Sequence, residues 1–335
     1  APVTAAGAMV DVVAGYTVGF KDQYKSASAC QALGAVECER RAQNTARVML
    51  LGMADRTNMA YDNSGLTAQV RIVAVLQVAY PDATSNDATL EELSGYRDGN
   101  AIATAPAFNA LRAAREQYGA DLVTLVRKFN MPENGSCGVA WLIGGGQSGV
   151  STSDEYFGYS VVSDGTDAGT DGKTYFCLDE SLAHEMGHNM GAAHDVATAK
   201  GSNGILDPDE YGAFPYSFGY KSVAGGFYTV MAYGDKGQQI YRIFSDPRST
   251  FCAGNLCGID GQADNARTLT QTIPTVATFR ATVVAGPSKD LYIIAKMGGS
   301  GYTELHTLSA GSLFQTYTGH VATALYRHTK KLDPT

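Results

Sequence analysis

Two histidines and one glutamate stand at a spacing that suits a metal-dependent hydrolase. Residues 184–188 read His-Glu-Met-Gly-His. Residues four apart on an α-helix lie above one another on one face, so His184 and His188 can both reach one metal ion. Glu185 is one step further round the helix, where its carboxylate would lie beside a metal-bound water rather than on the metal. Two ligands and an adjacent general base predict hydrolytic chemistry.

A third histidine follows at a spacing that completes the site. Gly191 permits the positive φ with which a chain leaves a helix, and the turn would return His194 towards the metal. Three neutral imidazoles leave one coordination position open, which is typical of a catalytic zinc and not of a structural one. The alternative is a surface helix that is rich in His and Glu by chance. That alternative must account for five fixed positions within 11 residues, in a chain with only six histidines.

A later methionine supports the zinc interpretation. Residues 229–234 read Thr-Val-Met-Ala-Tyr-Gly, and Met231 follows His194 by 37 residues. A long zinc motif followed by a turn that carries a methionine resembles the metzincin zinc peptidases. The His194–Asp195 pair resembles their reprolysin branch, whereas Met-x-Tyr resembles the turn of astacins and serralysins. The combination is most similar to bacterial reprolysin-like enzymes, above all the peptidyl-Asp metalloendopeptidases.

Four shorter segments carry the same resemblance, which covers about residues 8–280. They are Tyr-Gly-Ala-Asp-Leu-Val at 118–123, Cys-Gly-Val-Ala at 137–140, Phe-Pro-Tyr-Ser-Phe-Gly-Tyr at 214–220 and Ala-Asp-Asn-Ala-Arg at 263–267. The resemblance implies an α/β fold of the α+β type. It would consist of a metzincin catalytic domain with a twisted, mostly parallel sheet, a long active-site helix and a Met-turn, followed by a small β-rich C-terminal segment. It also implies a secreted bacterial zinc endopeptidase that acts on proteins or peptides and cleaves on the amino side of aspartate.

In such an enzyme each residue near the metal would have a distinct task. Glu185 would take a proton from the attacking water and pass it to the leaving amine. By resemblance to astacins and serralysins, the phenol of Tyr233 would bind the resting metal and swing out to stabilise the oxyanion, or else the ring packs below the site without a catalytic part. Met231 would support the histidines by packing, because a thioether is a weak ligand for zinc. Asp195 would cap the turn after His194, hold a ligand's second nitrogen, or be a surface charge.

Hydrophobic periodicity and turn residues predict the elements that position these residues. The predicted strands lie at 10–18, 70–78 and 121–126, and the predicted helices at 37–61 and 105–118. Thr104 would cap the second helix and Gly119 would end it. Strands that alternate with helices favour a largely parallel sheet covered by helices. The zinc helix would run from Asp179, as its N-cap, to Met190.

A further strand is predicted at 139–143, ahead of three glycines at 144–146 that could also form a plain turn. The resemblance makes it the edge strand of the cleft, to which a substrate adds as an extra strand through main-chain hydrogen bonds. The substrate-binding residues expected there are Gly138, Val139, Ala140 and Trp141. Cleavage before aspartate also requires a cation beyond the scissile bond. Arg242 is the first candidate, ahead of Lys221 and Lys236, because it lies in a mixed apolar segment.

Composition narrows the class of protein. A chain of 335 residues that is 44% hydrophobic can bury a large core. The net charge of −8, with no run of Lys or Arg, argues against nucleic acid or an anionic membrane as a partner. No apolar stretch approaches the ~20 residues that a bilayer span needs.

Six cysteines form three sequence pairs without C-x-x-C spacing, which predicts three disulfides in an exported protein. The alternative is a set of reduced cysteines in a cytosolic protein. The pairs are Cys30/Cys38, Cys137/Cys177 and Cys252/Cys257.

The remaining expectations concern the ends of the chain and a second ion. The chain opens Ala-Pro-Val, which suits either an end left by processing or an artificial boundary, and a pro-segment that inhibits the cleft is one candidate partner. We place the catalytic domain at 1–281 and a short β-rich segment at 288–335, with strands at 291–294, 305–308 and 321–325. Residues 163–174 are rich in Asp and Gly, which favours a mobile loop. Ca²⁺ is the alternative there, although Leu178 stands where an EF-hand needs Glu.

Two other functions compete with the peptidase. A metzincin fold retained only for binding, as in an adhesin or toxin module, would have no need of Glu185, and only the C-terminal β-rich segment favours it. A deacetylase or amidase would use the same zinc chemistry, but the predicted edge strand suits an extended peptide.

Overall fold

The computed structural model describes residues 7–283, 292–298, 301–308 and 326–327. Its α-helices are α1 (Val18–Asp22), α2 (Ala27–Cys30), α3 (Ala35–Asn63), α4 (Asn86–Ser94), α5 (Asn109–Tyr118), α6 (Ser181–Asn189), α7 (Val196–Ala199) and α8 (Asn265–Val276). Short 3-10 helices lie at Pro106–Phe108, Thr152–Phe157, Gly201–Asn203 and Pro208–Glu210. The longer strands are β1 (Met9–Thr17), β2 (Gln69–Val78), β5 (Leu122–Lys128), β6 (Gly138–Ala140) and β7 (Tyr159–Asp164).

Further strands complete the secondary structure of the described residues. They are β3 (Tyr96–Arg97), β4 (Asn100–Ala101), β8 (Thr166–Ala168), β9 (Thr174–Phe176), β10 (Ala193–Asp195), β11 (Phe218–Gly219), β12 (Lys221–Ser222), β13 (Phe227–Tyr228), β14 (Gln239–Ile240), β15 (Tyr292–Gly298), β16 (Gly301–Leu308) and β17 (Tyr326–Arg327).

A five-stranded sheet in the order β2-β1-β5-β7-β6 is the largest sheet among the described residues. Strand β1 pairs in parallel with β2 and β5, and β5 pairs in parallel with β7. Strand β6, at the edge, runs antiparallel to its neighbour β7. Strands β1 and β5 are buried along almost their whole length, as strands covered on both faces must be. The mostly parallel sheet predicted from the sequence is therefore confirmed.

Helices α4 and α5 cover part of this sheet. Leu93 of α4 and Leu111 of α5 are fully buried in one apolar cluster with Val13, Val123 and Val161 of the strands. Burial of each such side chain contributes about 1.5–3 kcal/mol relative to exposure. Together these contacts hold the parallel strands, and hence the cleft at their edge, in a rigid frame.

Most predicted elements agree with the structure, and the differences have local causes. The strands predicted at 10–18, 70–78 and 121–126 correspond to β1, β2 and β5. Gly119 ends α5 with a φ of +60°, as predicted. Thr104 does not cap that helix, because Pro106 begins a 3-10 turn in front of it and α5 starts only at Asn109. Helices α4 and α8 and strand β7 were not predicted from the sequence.

The chain folds as two compact units. One contains Leu50–Val283 and the described residues before Lys21, and the other contains Lys21–Met49 and the described strands after residue 283. In the second unit β15 pairs antiparallel with β16 and with β17. Two of the predicted C-terminal strands overlap β15 and β16, and the one at 321–325 lies outside the described residues. The domain boundary between 281 and 288 stays a prediction.

All six cysteines are paired as the sequence predicts. The disulfides are Cys30–Cys38, Cys137–Cys177 and Cys252–Cys257, with distances between their α-carbons of 5.3, 5.3 and 5.5 Å. Cys137 immediately precedes β6 and Cys177 follows β9, so the second bond holds one end of the edge strand. Within the described part of the chain, no helix combines the length and the apolar character that a bilayer span needs.

Candidate metal centre and cleft

Helix α6 presents the histidines from a buried position. It begins at Ser181 and not beside the predicted N-cap Asp179, whose carboxylate lies 3.2 Å from Arg56 instead of on the helix N–H groups. Glu180 occupies the capping position without a side-chain hydrogen bond to the helix. All residues from Leu182 to Asn189 are buried, so this helix lies within the domain and not on its surface. The alternative of a His-rich surface helix is wrong.

The rings of the first two histidines are oriented by backbone carbonyls. Nδ1 of His184 lies 2.8 Å from the carbonyl oxygen of Val230, and Nδ1 of His188 lies 2.8 Å from that of Ala192. A carbonyl oxygen only accepts, so each Nδ1 carries the proton and each Nε2 exposes a lone pair. Burial lowers the pKa of both rings, that of His184 to about 3, and His194 nearby lowers them further. Both imidazoles are therefore neutral.

The three Nε2 atoms converge on one point. Nε2 of His194 lies 3.1 Å from Nε2 of His184 and 3.1 Å from Nε2 of His188. Without a metal, Nε2 of His194 can carry one proton, and that proton cannot point well at the Nε2 lone pairs of both His184 and His188. A cation at the centre would relieve the remaining repulsion between these nitrogens. Tetrahedral zinc–nitrogen bonds of ~2.0–2.1 Å place their nitrogens about 3.3 Å apart. The donor set therefore fits a zinc ion, and it is the one group of three possible ligands among the described residues.

A tight turn returns His194 to the site. Gly191 has a φ of +88°, and a Cβ there would lie 2.6 Å from the Cβ of Ala213, so both the backbone conformation and the space demand glycine. His194 then lies in β10, which pairs in parallel with β11. The third imidazole is thus held by a separate small sheet, not by the helix that carries the other two.

Glu185 lies beside the three rings. It is buried, and burial raises the pKa of its carboxyl well above the usual range. Its side chain lines an open cleft of about 330 Å³ together with the three histidines and the edge strand β6. A carboxyl with a raised pKa, next to a candidate metal and open to a ligand, is suited to accept and return a proton.

Met231 lies below the helix, fully buried. A Cβ at Gly187 would lie only 2.5 Å from Sδ of Met231 and 3.1 Å from the ring of Phe244, so the turn packs directly on the helix backbone. The carbonyl that orients His184 belongs to Val230, the residue before this methionine. These contacts suit the packing role predicted for Met231.

Asp195 connects the third ligand to the same turn. Only 3% of it is exposed, so it is not a surface charge. Its carboxylate accepts hydrogen bonds from the backbone N–H and the hydroxyl of Thr198, at 3.2 and 2.6 Å, and thereby caps α7. It also accepts the backbone N–H of Tyr233 at 3.2 Å. Of the predicted roles, the structure supports capping and adds this link to the turn.

Tyr233 lies over the site. Its ring centroid is 5.5 Å from that of His184 and 4.9 Å from that of His194, and 52% of the residue is exposed. Partial burial raises the pKa of the phenol to about 12, with further contributions from the carboxylates of Glu185 and Asp195. The phenol is therefore protonated at neutral pH and able to donate a hydrogen bond to a developing oxyanion.

Replacing Tyr233 with phenylalanine should separate its two interpretations. If the hydroxyl stabilises the transition state, kcat for peptide hydrolysis should fall about 10²-fold while KM changes little. The ring stays in place, so zinc content should equal that of the unmodified protein. An unchanged kcat would leave Tyr233 with a packing role only.

The edge strand is shorter than predicted. Gly138, Val139 and Ala140 line the cleft, as expected, but β6 ends at Ala140 and not at Ile143. The backbone N–H of Ile143 donates to the carbonyl of His188 at 3.1 Å, so beyond β6 the chain bonds to helix α6 instead of β7. The pairing partner changes because the glycine-rich segment turns there.

Trp141 does not line this cleft. It packs against the core cluster, and its ring meets that of Phe157 edge-on at 5.8 Å. Beyond the end of β6, its side chain turns into the core and not into the cleft. The expectation that Trp141 binds substrate finds no contact to support it.

The candidate cations also lie outside the lining of the cleft. Arg242 donates through Nε and Nη2 to one oxygen of Glu180, at 3.0 and 2.7 Å, and its Nη1 lies 3.8 Å from Sδ of Met59. Glu180 is one helical turn before His184, whose N–H donates to its carbonyl. Lys221 pairs with Asp235 at 3.2 Å. Arg242 is therefore near the first ligand, but its charge is already paired.

The Asp- and Gly-rich segment is a hairpin of β8 and β9. Asp167 accepts the backbone N–H of Met131 at 2.8 Å, and Asp171 accepts the N–H of Lys173 and the hydroxyl of Tyr175 at 3.1 and 2.9 Å. These carboxylates are satisfied by the hairpin and its neighbour, and they form no cluster of three ligands within the described residues. The Ca²⁺ alternative stays a prediction without structural support.

Comparison with known proteins agrees with the geometry. The reprolysin-like model of metallopeptidase family M12B matches residues 27–263, well over half of the chain. A peptidyl-Asp metalloendopeptidase of Pseudomonas aeruginosa is 32% identical over 240 residues, which cover 68% of this chain and 36% of the relative. A protein of the same name from Stenotrophomonas maltophilia is 26% identical over 239 residues, covering 71% of this chain and 48% of that one. The chain thus spans about a third to a half of these two relatives.

One solved structure supports the fold alone. It is described as the structure of a chaperone–substrate complex, and it matches 83% of this chain and 36% of that chain with a TM-score of 0.53 and 16% identity. The family match, the paired cysteines and the converging histidines agree with one another. The chain belongs to the reprolysin-like metallopeptidases of family M12B.

Proposed function

We propose that this protein is a zinc endopeptidase. The observation that carries the proposal is the convergence of three Nε2 atoms: that of His194 lies 3.1 Å from those of both His184 and His188. The three nitrogens lie beside the buried carboxyl of Glu185 in an open cleft. His184, His188 and His194 would hold the ion. When bound, zinc supplies a Lewis acid that polarises the scissile carbonyl and lowers the pKa of a water.

The residues around the ion would divide the remaining work. Glu185 would remove the proton from the attacking water and deliver it to the leaving nitrogen. The protonated phenol of Tyr233 donates a hydrogen bond to the oxygen that gains charge. The substrate backbone binds as an added strand along the outer edge of β6, which is the last strand of the described sheet and borders the cleft.

The direct test is hydrolysis of casein and of a mixed peptide library by the purified protein. We expect cleavage within chains, not only at their ends, and mass spectrometry of the products would locate each cut. Absence of hydrolysis by zinc-loaded, folded protein would favour the binding-module alternative, although such a module has no need of Glu185.

We further propose cleavage on the amino side of aspartate. The support is that the two relatives are named peptidyl-Asp metalloendopeptidases. Arg242 is the candidate for binding the substrate carboxylate, because its partner Glu180 lies one helical turn before His184 and holds only two of its donor nitrogens. Its Nη1 faces the thioether of Met59, a weak acceptor that a carboxylate would outcompete.

Replacing Arg242 with alanine should therefore erase the preference for aspartate. We expect kcat/KM for a peptide with Asp after the scissile bond to fall about 10–10²-fold relative to kcat/KM for the same peptide with Asn there. This is the effect expected from the loss of one charge-assisted contact. The matched control is Arg56→Ala, which removes an arginine paired with the neighbouring Asp179. If the Asp/Asn ratio of Arg242→Ala equals that of the control, another residue reads the substrate.

Three disulfides also support a place of action outside the reducing cytosol. We propose that the protein is secreted and that residues 1–281 form its catalytic domain. Oxidised and reduced protein compared for thermal unfolding would test whether the fold depends on these disulfides, as expected of a protein that acts outside the cytosol.

A further inference from the structure

We propose that Gly138 positions the general base: the absence of a side chain at this point of the edge strand lets the Glu185 carboxylate lie where it works. This inference rests on the proposed role of Glu185. Gly138 was expected only to bind substrate through its backbone. Its contact with the base is a separate property of the same residue.

The observation is the space above Gly138. A Cβ added there would overlap Oε1 of Glu185 and would lie 2.8 Å from both its Cδ and its Cγ. Carbon atoms in contact need about 3.5–4.0 Å. The φ of Gly138 is not in the left-handed region, so the backbone would accept alanine. What excludes a side chain at Gly138 is therefore the carboxylate.

The strand cannot retreat to make room. Its register on β7 pairs Gly138 with Val162, and the disulfide of Cys137 holds the residue before it. Beyond β6, the amide of Asn189 donates to the carbonyl of Trp141 at 3.1 Å, which ties the chain to helix α6. Because both ends of the segment are held, an added methyl group has to displace the side chain of Glu185.

The displaced carboxylate has one open direction. Glu185 lines the cleft, so its terminal atoms can rotate into that space while its backbone stays in the helix. Little core packing would be lost, and stability should change little. The base would nevertheless leave its working position, and a misplacement of ~1 Å can cost about 10²-fold in rate.

The test is Gly138→Ala, with Gly34→Ala as matched control, since nothing lies within 4 Å of a Cβ at Gly34. We expect kcat of the zinc-loaded Gly138 variant to fall about 10²-fold, with KM, zinc content and melting temperature close to those of the control. Equal kcat values for both variants would overturn the inference. So would a loss of zinc or of folded protein that accounts for the lower rate.

A double-mutant cycle with Glu185→Asp tests the contact itself. Glu185→Asp by itself should lower activity. In the double variant with Gly138→Ala, however, the shorter aspartate has room beside the added methyl group, which glutamate lacks. The two losses should therefore be non-additive, with the double variant at least about tenfold more active than the product of the single losses predicts. Additive losses would overturn the inference. If Glu185→Gln itself stays active, the proposed function fails; if only Gly138→Ala stays active, this inference fails alone.

Discussion

Replacing Glu185 with glutamine should reduce kcat about 10³-fold while leaving zinc bound. The amide keeps the size and burial of the side chain but cannot take a proton from water, and general base catalysis contributes about 10²–10⁴-fold. The three ligands are histidines, and the orienting hydrogen bonds of His184 and His188 go to Val230 and Ala192 and do not involve Glu185. Steady-state kinetics on a fluorogenic peptide, with zinc measured by mass spectrometry of the same sample, would show both effects.

Glu210 offers a matched control, because its carboxylate also lines the cleft. It accepts the backbone N–H of Asp207 at 2.6 Å, and a glutamine can still accept that bond. Glu210→Gln should therefore retain most of the activity. If it lost as much as Glu185→Gln, the effect would be one of cleft charge and not of proton transfer.

Removing the metal should abolish hydrolysis altogether. A chelator would leave Nε2 of His194 3.1 Å from those of His184 and His188 without a cation, and the side chains that line the cleft offer no Lewis acid to replace it next to the carbonyl. Added Zn²⁺ should restore activity at one equivalent, because the site contains a single group of three ligands among the described residues.

Ca²⁺ and Mg²⁺ provide the control for this experiment. Both prefer oxygen ligands and should not restore activity to a site made of three imidazoles. His194→Ala should mimic chelation, since it removes the nitrogen that both other rings approach. Full activity of metal-free protein would refute the proposed function.

The metal site was largely predictable from the sequence because its geometry is local. Helical periodicity places His184 and His188 on one face, and a glycine that must adopt positive φ dictates the return of His194. The resemblance then singled out Met231. The fold was predictable where periodicity is strong, as in β1, β2 and α3. It was missed in α8, where Pro274 and several threonines argue against a helix that tertiary packing nevertheless stabilises.

Contacts between distant segments could not be predicted in this way. The partner of Arg242 is Glu180, and the neighbour of Gly138 is Glu185, and neither pair has a sequence signal. Nor does the sequence show that Trp141 packs against the core cluster and not into the cleft. Such details are set by packing, not by spacing.

The hydrogen bond from the Tyr233 N–H to the buried Asp195 has a consequence for the timing of turnover. This hydrogen bond fixes the main chain of the turn at Tyr233. Any movement of the phenol on substrate binding must therefore be a rotation about side-chain bonds. Rotamer changes of exposed side chains take picoseconds to nanoseconds, whereas loop rearrangements take up to microseconds. Tyr233 would thus follow the substrate without delay, and its movement would not limit the catalytic cycle.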